Sequence, residues 1–141
     1  MQVPKRFRVL YAEDNEDARL MLSILLGYSG IDVSPARSIA EAVREAKNSE
    51  FDAYLLGSHF QDGSGKDLCR RLLEMNPHVP VVFYSGDGRA AEKRLGLEAG
   101  AGAYLVKPAL DMIAPTILRL VTGGTVGAKP QSLTAGDQWN F

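Results

Sequence analysis

The stretch that decides the fold class is residues 51–65, with the sequence FDAYLLGSHFQDGSG. Residues 52–56 form a nearly continuous apolar run, and Gly57 follows it. A strand of a parallel sheet that is covered on both faces has this apolar character along its whole length. The glycine-rich residues 63–65 predict a turn, and the apolar pattern that follows predicts a helix over residues 66–75. The stretch therefore predicts a central strand, a loop and a helix of an α/β protein.

Outward from this stretch, short apolar runs alternate with helical patterns about five times along the chain. This alternation is typical of a doubly wound parallel sheet. We therefore expect an α/β fold of the flavodoxin-like type, a five-stranded parallel sheet with helices on both faces and a topological switch point at the first and third strands. The predicted strands cover residues 8–12, 31–34, 52–56, 79–84 and 103–106, and the predicted helices cover residues 15–29, 38–47, 66–75, 89–99 and 110–121.

Two helices carry local signals near their starts. Ser38 with Glu41 three residues later has the pattern of a capping box. Pro115 is expected near the first turn of the last helix, where the missing N–H of proline matters least.

The composition indicates one globular domain without a strong electrostatic preference. The 141 residues are 45% hydrophobic and 23% charged, and the net charge is −1. This charge does not favour nucleic acid or an anionic membrane, which call for a dense basic patch. No window approaches the roughly 18 apolar residues of a membrane span. We expect a cytoplasmic protein with a folded domain over residues 1–122 and a flexible tail over residues 123–141, without nucleic-acid or membrane partners.

Polar residues follow several of the predicted strands. Glu13 and Asp14 come after the first strand, Ser85 after the fourth, and Lys107 after the fifth, while Gly57 follows the third. Because ligands of open parallel sheets bind outside the carboxyl ends of the strands, we expect these residues to meet at one site.

These strand ends, together with Tyr104 and the dipeptide Lys107-Pro108, resemble those of bacterial response regulator receiver domains of the chemotaxis-regulator type. The resemblance covers residues 7–121. It implies an acidic pair that helps to hold Mg²⁺, an aspartate that accepts a phosphoryl group, a Ser or Thr and a Lys that contact that group, and an aromatic residue that changes rotamer on activation. The matching positions are Glu13 and Asp14, Gly57, Ser85, Lys107 and Tyr104.

The resemblance places the phosphoacceptor position on Gly57, which has no carboxylate. We therefore expect a degenerate, stand-alone receiver domain in two-component signalling that is not an enzyme and acts without phosphorylation at this position. We expect no cofactor, with Mg²⁺ bound at most weakly through Glu13 and Asp14, because a metal ligand and the nucleophile are both missing. Gln61 and Gly86 also depart from the family pattern, where proline and alanine are usual.

Two alternatives keep a phosphorylation switch. Ser58 or Asp62 could accept the phosphoryl group in place of an aspartate at position 57, although a serine hydroxyl is a weak nucleophile without a base. The other alternative is that the natural protein has an aspartate at position 57, so that the glycine is an engineered change.

The first helix indicates where a protein partner binds. Its apolar residues cover more of the helix than the ~100° stripe that one core needs. This excess indicates either half-buried side chains at the edges of the core or a partner surface. The resemblance implies a histidine kinase, a phosphotransfer protein or another regulator, bound through the first helix or the face between the fourth and fifth helices, with a homodimer as a further possibility. The apolar residues are Leu20, Met21, Leu22, Ile24, Leu25 and Leu26.

The tail ends with residues 137–141, which contain Trp139, the only tryptophan. Either this segment is disordered, or it docks on a neighbouring surface after a glycine-rich spacer.

Overall fold

The computed structural model of the protein describes residues 5–123. Its strands are β1 (Phe7–Ala12), β2 (Ile31–Ala36), β3 (Ala53–Leu56), β4 (His59–Phe60), β5 (Gly63–Ser64), β6 (Val81–Ser85) and β7 (Ala103–Val106). Its helices are α1 (Glu16–Gly27), α2 (Ile39–Asn48), α3 (Gly65–Met75), α4 (Ala90–Glu98) and α5 (Leu110–Val121). The main sheet has the parallel order β2-β1-β3-β6-β7. The predicted five-stranded α/β fold with helices on both faces is confirmed.

The two faces of the sheet have separate apolar cores. Alternate side chains of a strand point to opposite faces, so Leu10 of β1 packs on the side of α2 and α3, while Val9 packs on the side of α1 and α5. All four residues of β3 are buried. This two-sided burial explains why the run that decides the fold is apolar throughout instead of alternating with polar residues.

The register of the strands brings their carboxyl ends to one edge of the sheet. Ala12 of β1 pairs with Leu56 of β3, and Ser85 of β6 pairs with Val106 of β7. The residues that follow continue these contacts, because the amide of Gly57 donates to the carbonyl of Ala12 over 2.8 Å. The fold therefore places the predicted site residues side by side.

Some element bounds differ from those predicted. β2 runs two residues further than expected and includes Pro35. A proline is tolerated there because β2 is an edge strand and pairs only with β1. The predicted turn before α3 contains the two-residue strands β4 and β5, which pair antiparallel. β6 starts at Val81, two residues later than predicted.

The prediction for Pro115 is wrong in its position. Pro115 is the sixth residue of α5, beyond the first turn. Its missing N–H therefore removes a hydrogen bond within the helix. The helix nevertheless continues to Val121, and Ile113 and Ile117 on either side of the proline are fully buried. Tertiary packing holds the helix across the missing bond.

The predicted tail, residues 123–141, lies outside the described residues except for Gly123. Within residues 5–123, no helix has the length and apolar character that crossing a membrane requires.

Candidate functional site

The centre of the site is an ion pair between the residues that directly follow β1 and β7. The ammonium of Lys107 lies 3.1 Å from Oε1 of Glu13, and the Glu13 side chain is only 6% exposed. The amide of Asn15 donates to the other carboxylate oxygen of Glu13 over 3.1 Å. The Lys107 ammonium also lies 5.4 Å from the centre of the Tyr84 ring, within the range of a cation–π contact. Both oxygens of the buried carboxylate are thus engaged by protein groups.

Gly57 borders this ion pair directly. A Cβ atom at position 57 would lie 3.1 Å from Oε1 of Glu13 and 3.6 Å from the carbonyl oxygen of Ala12. Glu13 therefore limits the space beside Gly57, at the place where the family resemblance puts the acceptor carboxylate. A side chain at position 57 requires a small shift of the Glu13 carboxyl group.

A serine pair forms the other side of the site. The hydroxyl of Ser58 donates to the hydroxyl of Ser85 over 2.6 Å, and the amide of Asp87 donates to the Ser85 oxygen over 3.0 Å. Ser85 is 4% exposed. The hydroxyl predicted to contact phosphate is therefore buried and hydrogen-bonded to a neighbouring serine and to the next loop.

The predicted acidic pair is split between two environments. Glu13 is buried in the ion pair, whereas Asp14 is exposed. Mg²⁺ prefers an octahedral set of oxygen ligands that usually includes one or two carboxylates. Nowhere in residues 5–123 do three or more His, Cys, Asp or Glu residues come together as a metal-ligand group. With both Glu13 oxygens engaged and no side chain at Gly57, a divalent cation at this site would have to compete with Lys107 for the Glu13 carboxylate.

Tyr104 is held next to α4 by contacts with three elements. Its hydroxyl donates to the carbonyl oxygen of Asp87 over 2.7 Å, and its ring lies 5.5 Å from that of Phe83. Gly96 of α4 makes room for this packing, since a Cβ there would come within 2.9 Å of the Tyr104 ring. The aromatic residue that the sequence analysis placed at the site therefore packs half-buried against β6 and α4 and is hydrogen-bonded to the loop after β6.

The loop after β6 contributes a residue that the sequence analysis missed. The guanidinium of Arg89 binds both carboxylate oxygens of Asp87, at 2.9 and 2.7 Å, and this contact lowers the pKa of Asp87 to about 2. The main chain of Asp87 makes two further contacts: its carbonyl oxygen accepts from the Tyr104 hydroxyl, and its amide donates to the Ser85 hydroxyl. Asp87 therefore joins the serine pair to the aromatic residue. The sequence sign of this contact was the pair of opposite charges two positions apart, Asp87 and Arg89.

Tyr11 is a second residue that the sequence analysis missed. Its hydroxyl is buried, and no residue of the described range gives it a hydrogen-bond partner. Burial and, to a smaller extent, the negative charge of Glu13 raise the pKa of Tyr11 well above its ordinary value. Tyr11 lies on β1 two residues before Glu13, which directly follows the strand, and this spacing was the sequence sign of their proximity.

Asp62, one of the two alternative phosphoacceptors, binds the start of α2. The amides of Ile39 and Ala40 donate to its two carboxylate oxygens, each over 3.0 Å. Ser38 caps the same helix as predicted, because its hydroxyl accepts from the amide of Glu41 over 3.0 Å. The hydrogen bonds from Ile39 and Ala40 lower the pKa of Asp62. The loop after β3 is therefore tied to α2 by a charged contact.

Asp62→Asn is expected to lower the melting temperature at neutral pH. It is also expected to make the melting temperature fall less steeply as the pH is lowered into the acid range. The pKa of Asp62 is lower in the folded protein than in the unfolded chain. The stabilisation is therefore complete above the unfolded pKa, near 4, and is lost as the pH falls through the folded pKa. Thermal unfolding between about pH 2 and 7 measures both effects. Glu74→Gln, which neutralises an exposed carboxylate on α3, is the control; an unchanged curve for Asp62→Asn contradicts the prediction.

Comparison with known sequences identifies the family. Residues 9–115 match the family described as response regulator receiver domain. The response regulator protein PilR of Pseudomonas aeruginosa is 33% identical over 119 residues, which cover 82% of this chain and 27% of PilR. The transcriptional regulatory protein PrrA of Mycobacterium tuberculosis is 32% identical over 134 residues, which cover 92% of this chain and 57% of PrrA. The chain thus spans about a quarter of the first relative and little more than half of the second.

Solved structures show the same fold. A putative response regulator from Chloroflexus aurantiacus superimposes with a TM-score of 0.79 at 25% identity, covering 84% of this chain and 99% of that one. The chemotaxis protein CheY4 of Vibrio cholerae gives a TM-score of 0.76 at 23% identity, covering 82% and 98%, and at this identity it supports the fold alone. The family match over residues 9–115 and the identity with PrrA show that the chain belongs to the response regulator receiver domain family of two-component signal transduction.

Proposed function

We propose that this receiver domain acts by binding protein partners and receives no phosphoryl group at position 57. The observation that carries the proposal is the end of β3, where Gly57 occupies the acceptor position beside the Glu13–Lys107 ion pair. Phosphoryl transfer needs a nucleophile in line with the transferred group and cations that neutralise the developing charge. Gly57 supplies no nucleophile, and Lys107 already neutralises Glu13.

The formal charge of the site supports the proposal that Mg²⁺ binds weakly, if at all. An aspartate at position 57 would give three carboxylates and one ammonium, a formal charge of −2. With Gly57, the group consists of Glu13, Asp14 and Lys107, and the formal charge is −1. A site with less negative charge and one fewer oxygen ligand attracts a hard divalent cation less strongly. We therefore propose that the domain has no metal cofactor and is not an enzyme.

The positions of the two alternative acceptors also favour this proposal. The Ser58 hydroxyl donates to Ser85, which is not a general base. The Asp62 carboxylate accepts two backbone hydrogen bonds at α2, and a phosphoryl group there would break them. Each residue therefore has a structural role that phosphorylation would disturb.

The exposed face of α1 is the proposed partner surface. Leu22 and Leu26 are buried, whereas the other four apolar residues of this helix remain open to solvent. This exposure favours a partner surface over half-buried edges of the core. We propose a cytoplasmic protein partner here, such as a histidine kinase, a phosphotransfer protein or another regulator. The exposed residues are Leu20 (63%), Met21 (48%), Ile24 (54%) and Leu25 (41%).

Acetyl phosphate with Mg²⁺ is expected to leave the intact mass of this chain unchanged, and beryllofluoride with Mg²⁺ is expected to leave its amide NMR spectrum unchanged. Both reagents require an acceptor carboxylate, which Gly57 lacks. A stable phosphoryl adduct, or spectral changes throughout the site, would contradict the proposal. If an adduct forms, its loss in Ser58→Ala or Asp62→Asn identifies the alternative acceptor.

Gly57→Asp is the matched variant for this experiment. We expect it to gain one Mg²⁺-dependent phosphoryl group, because the chain keeps the Ser85 hydroxyl and the Lys107 ammonium, and a Cβ at position 57 requires only a small shift of the end of the Glu13 side chain. Gly57→Asn adds a side chain of nearly the same shape without the nucleophile, and it should remain unmodified. If Gly57→Asp is also unmodified, the site differs from a competent receiver at further positions, and Gln61 and Gly86 are the first to test.

A further inference from the structure

A groove between α2 and α3 carries an excess of positive charge. Its volume is about 520 Å³. Arg44 and Lys47 of α2 and Arg71 of α3 line it, and Asp62 is the one acidic residue of the lining. Three cations and one carboxylate give the lining a formal charge of +2, whereas the whole chain has a net charge of −1. The groove therefore concentrates positive charge on a protein that is slightly acidic.

The three cations of the groove are open to a ligand. Arg44, Lys47 and Arg71 are all exposed. Within residues 5–123, Lys47 and Arg71 take part in no ion pair, and Arg44 meets only Glu41, at 3.7 Å, with its own side chain 60% exposed. An exposed ion pair of this kind is weak. A negatively charged ligand would therefore not have to break a strong ion pair in order to bind.

The geometry of α2 suits a short extended segment. Positions three or four apart lie on one face of a helix, and Ile39, Val43 and Lys47 follow this spacing along the groove. Ile39 and Val43 are buried, so the base of the groove is apolar. The rise from Ile39 to Lys47 is about 12 Å, which about four residues of an extended chain cover. Because successive side chains of such a chain point to opposite sides, acidic residues can face α2 and α3 in turn.

The groove already holds one carboxylate, that of Asp62. Its two oxygens accept from the amides of Ile39 and Ala40, each over 3.0 Å. These hydrogen bonds and, to a smaller extent, the positive charge of Arg71 lower the pKa of Asp62. The ionised carboxylate is thus the form that this end of the groove stabilises, and the same chemistry is available to the carboxylates of a ligand.

Carboxylates of a protein match the groove better than a nucleic acid does. Binding to a phosphate backbone calls for a dense basic patch that follows several phosphates, whereas this groove offers three cations over a short distance. The net charge of −1 also disfavours the approach of a long polyanion. A short acidic segment of a protein carries a negative charge comparable with the positive charge of the lining, and its peptide backbone is neutral.

We propose that the groove between α2 and α3 binds a short acidic segment of a protein partner, whose carboxylates pair with Arg44, Lys47 and Arg71. This surface is separate from the exposed face of α1, because α2 and α3 pack on one face of the sheet and α1 packs on the other. The inference therefore depends neither on a partner at α1 nor on the absence of phosphorylation at position 57.

The test is a titration of the isotope-labelled protein with a short oligoglutamate peptide, followed by amide NMR. We expect shift changes in residues 39–48, at Asp62 and at Arg71, and weaker binding at higher salt. Lys47→Glu and Arg71→Glu reverse exposed charges, and each is expected to weaken binding about ten-fold. Asp62→Asn removes the one negative charge of the lining and is expected to tighten binding about three-fold. The amide spectrum of each variant also shows that it is folded.

Arg119→Glu is the matched control. Arg119 is an exposed cation of α5, which packs on the opposite face of the sheet, and its reversal should change the affinity by less than about two-fold. Absence of shift changes in the groove overturns the proposal. An equal loss of affinity in Arg119→Glu also overturns it, since the attraction is then non-specific. Tighter binding of a single-stranded oligonucleotide than of the peptide in this groove overturns it as well. A loss confined to Lys47→Glu and Arg71→Glu, with tighter binding in Asp62→Asn, supports it.

Discussion

Gly65→Ala is expected to lower the free energy of unfolding by about 3 kcal/mol. Gly65 begins α3, and a Cβ there would collide with the carbonyl oxygen of Gly57 and approach the Cα of Ser58 at 3.1 Å. Both neighbours are backbone atoms, so no side-chain rotation relieves the clash. The helix would have to move away from the end of β3, and the hydrogen bond from the Gly65 amide to the Ser58 carbonyl would lengthen from 2.8 Å.

Helix propensity alone predicts the opposite sign for this substitution. Alanine is more favourable than glycine by about 1 kcal/mol inside a helix, so a destabilised variant isolates the steric effect. Urea unfolding provides the measurement. Gly86→Ala is the control, because a Cβ at Gly86 meets no atom within 4 Å, and its stability should change by less than about 0.5 kcal/mol. If Gly65→Ala is as stable as Gly86→Ala, the close approach of α3 to position 57 is wrong.

Lys107→Met is expected to destabilise the protein by about 2 kcal/mol, because it leaves the buried Glu13 carboxylate without its counter-charge. Removing one partner of a fully buried pair costs about 3–5 kcal/mol, and the smaller value reflects the 34% exposure of the Lys107 side chain. Glu13→Gln in the same background should recover part of the loss, since no uncompensated negative charge then remains. Urea unfolding of the wild type, Lys107→Met, Glu13→Gln and the double variant forms a double-mutant cycle, which gives the coupling energy between the two residues.

The coupling between Glu13 and Lys107 is expected to be about 1–2 kcal/mol. The surface pair of Asp67 and Arg70 provides the comparison, because its atoms approach within 3.2 Å but its side chains are 66% and 54% exposed. A cycle of Asp67→Asn and Arg70→Met should give a coupling below about 0.5 kcal/mol. Equal couplings for the two pairs would show that the ion pair at the site is no stronger than a surface contact.

The sequence predicted the main elements and the edge of the sheet where the site lies. This worked because a strand buried on both faces must be apolar, and because parallel strands align their carboxyl ends. Glu13, Gly57, Ser85 and Lys107 meet there as expected, and the pairing of Glu13 with Lys107 follows from their opposite charges. The family resemblance added the expectation that position 57 corresponds to the phosphoacceptor aspartate of receiver domains. No residue pattern within one chain provides this.

Contacts between distant residues were beyond the reach of sequence patterns. The contact of Asp62 with Ile39 joins positions 23 residues apart, whereas the sequence around an aspartate before a glycine indicates only a local turn. The Ser58–Ser85 hydrogen bond joins positions 27 apart. Pro115 was misplaced because propensity rules describe isolated helices, whereas the packing of Ile113 and Ile117 holds this helix together. For α1, hydrophobicity alone did not distinguish core from open surface.

The hydrogen bonds of Asp62 link the site loop to α2 in a reciprocal way. The loop between Gly57 and Gly65 contains Asp62, and the same carboxylate satisfies two amides of α2. A partner that displaces this loop leaves those amides to water or binds them itself. Conversely, an anion from a partner that occupies the start of α2 releases the loop. Thermodynamic linkage makes the two effects equal in free energy, so displacement of the loop and binding of an anion at the start of α2 would favour each other by the same factor.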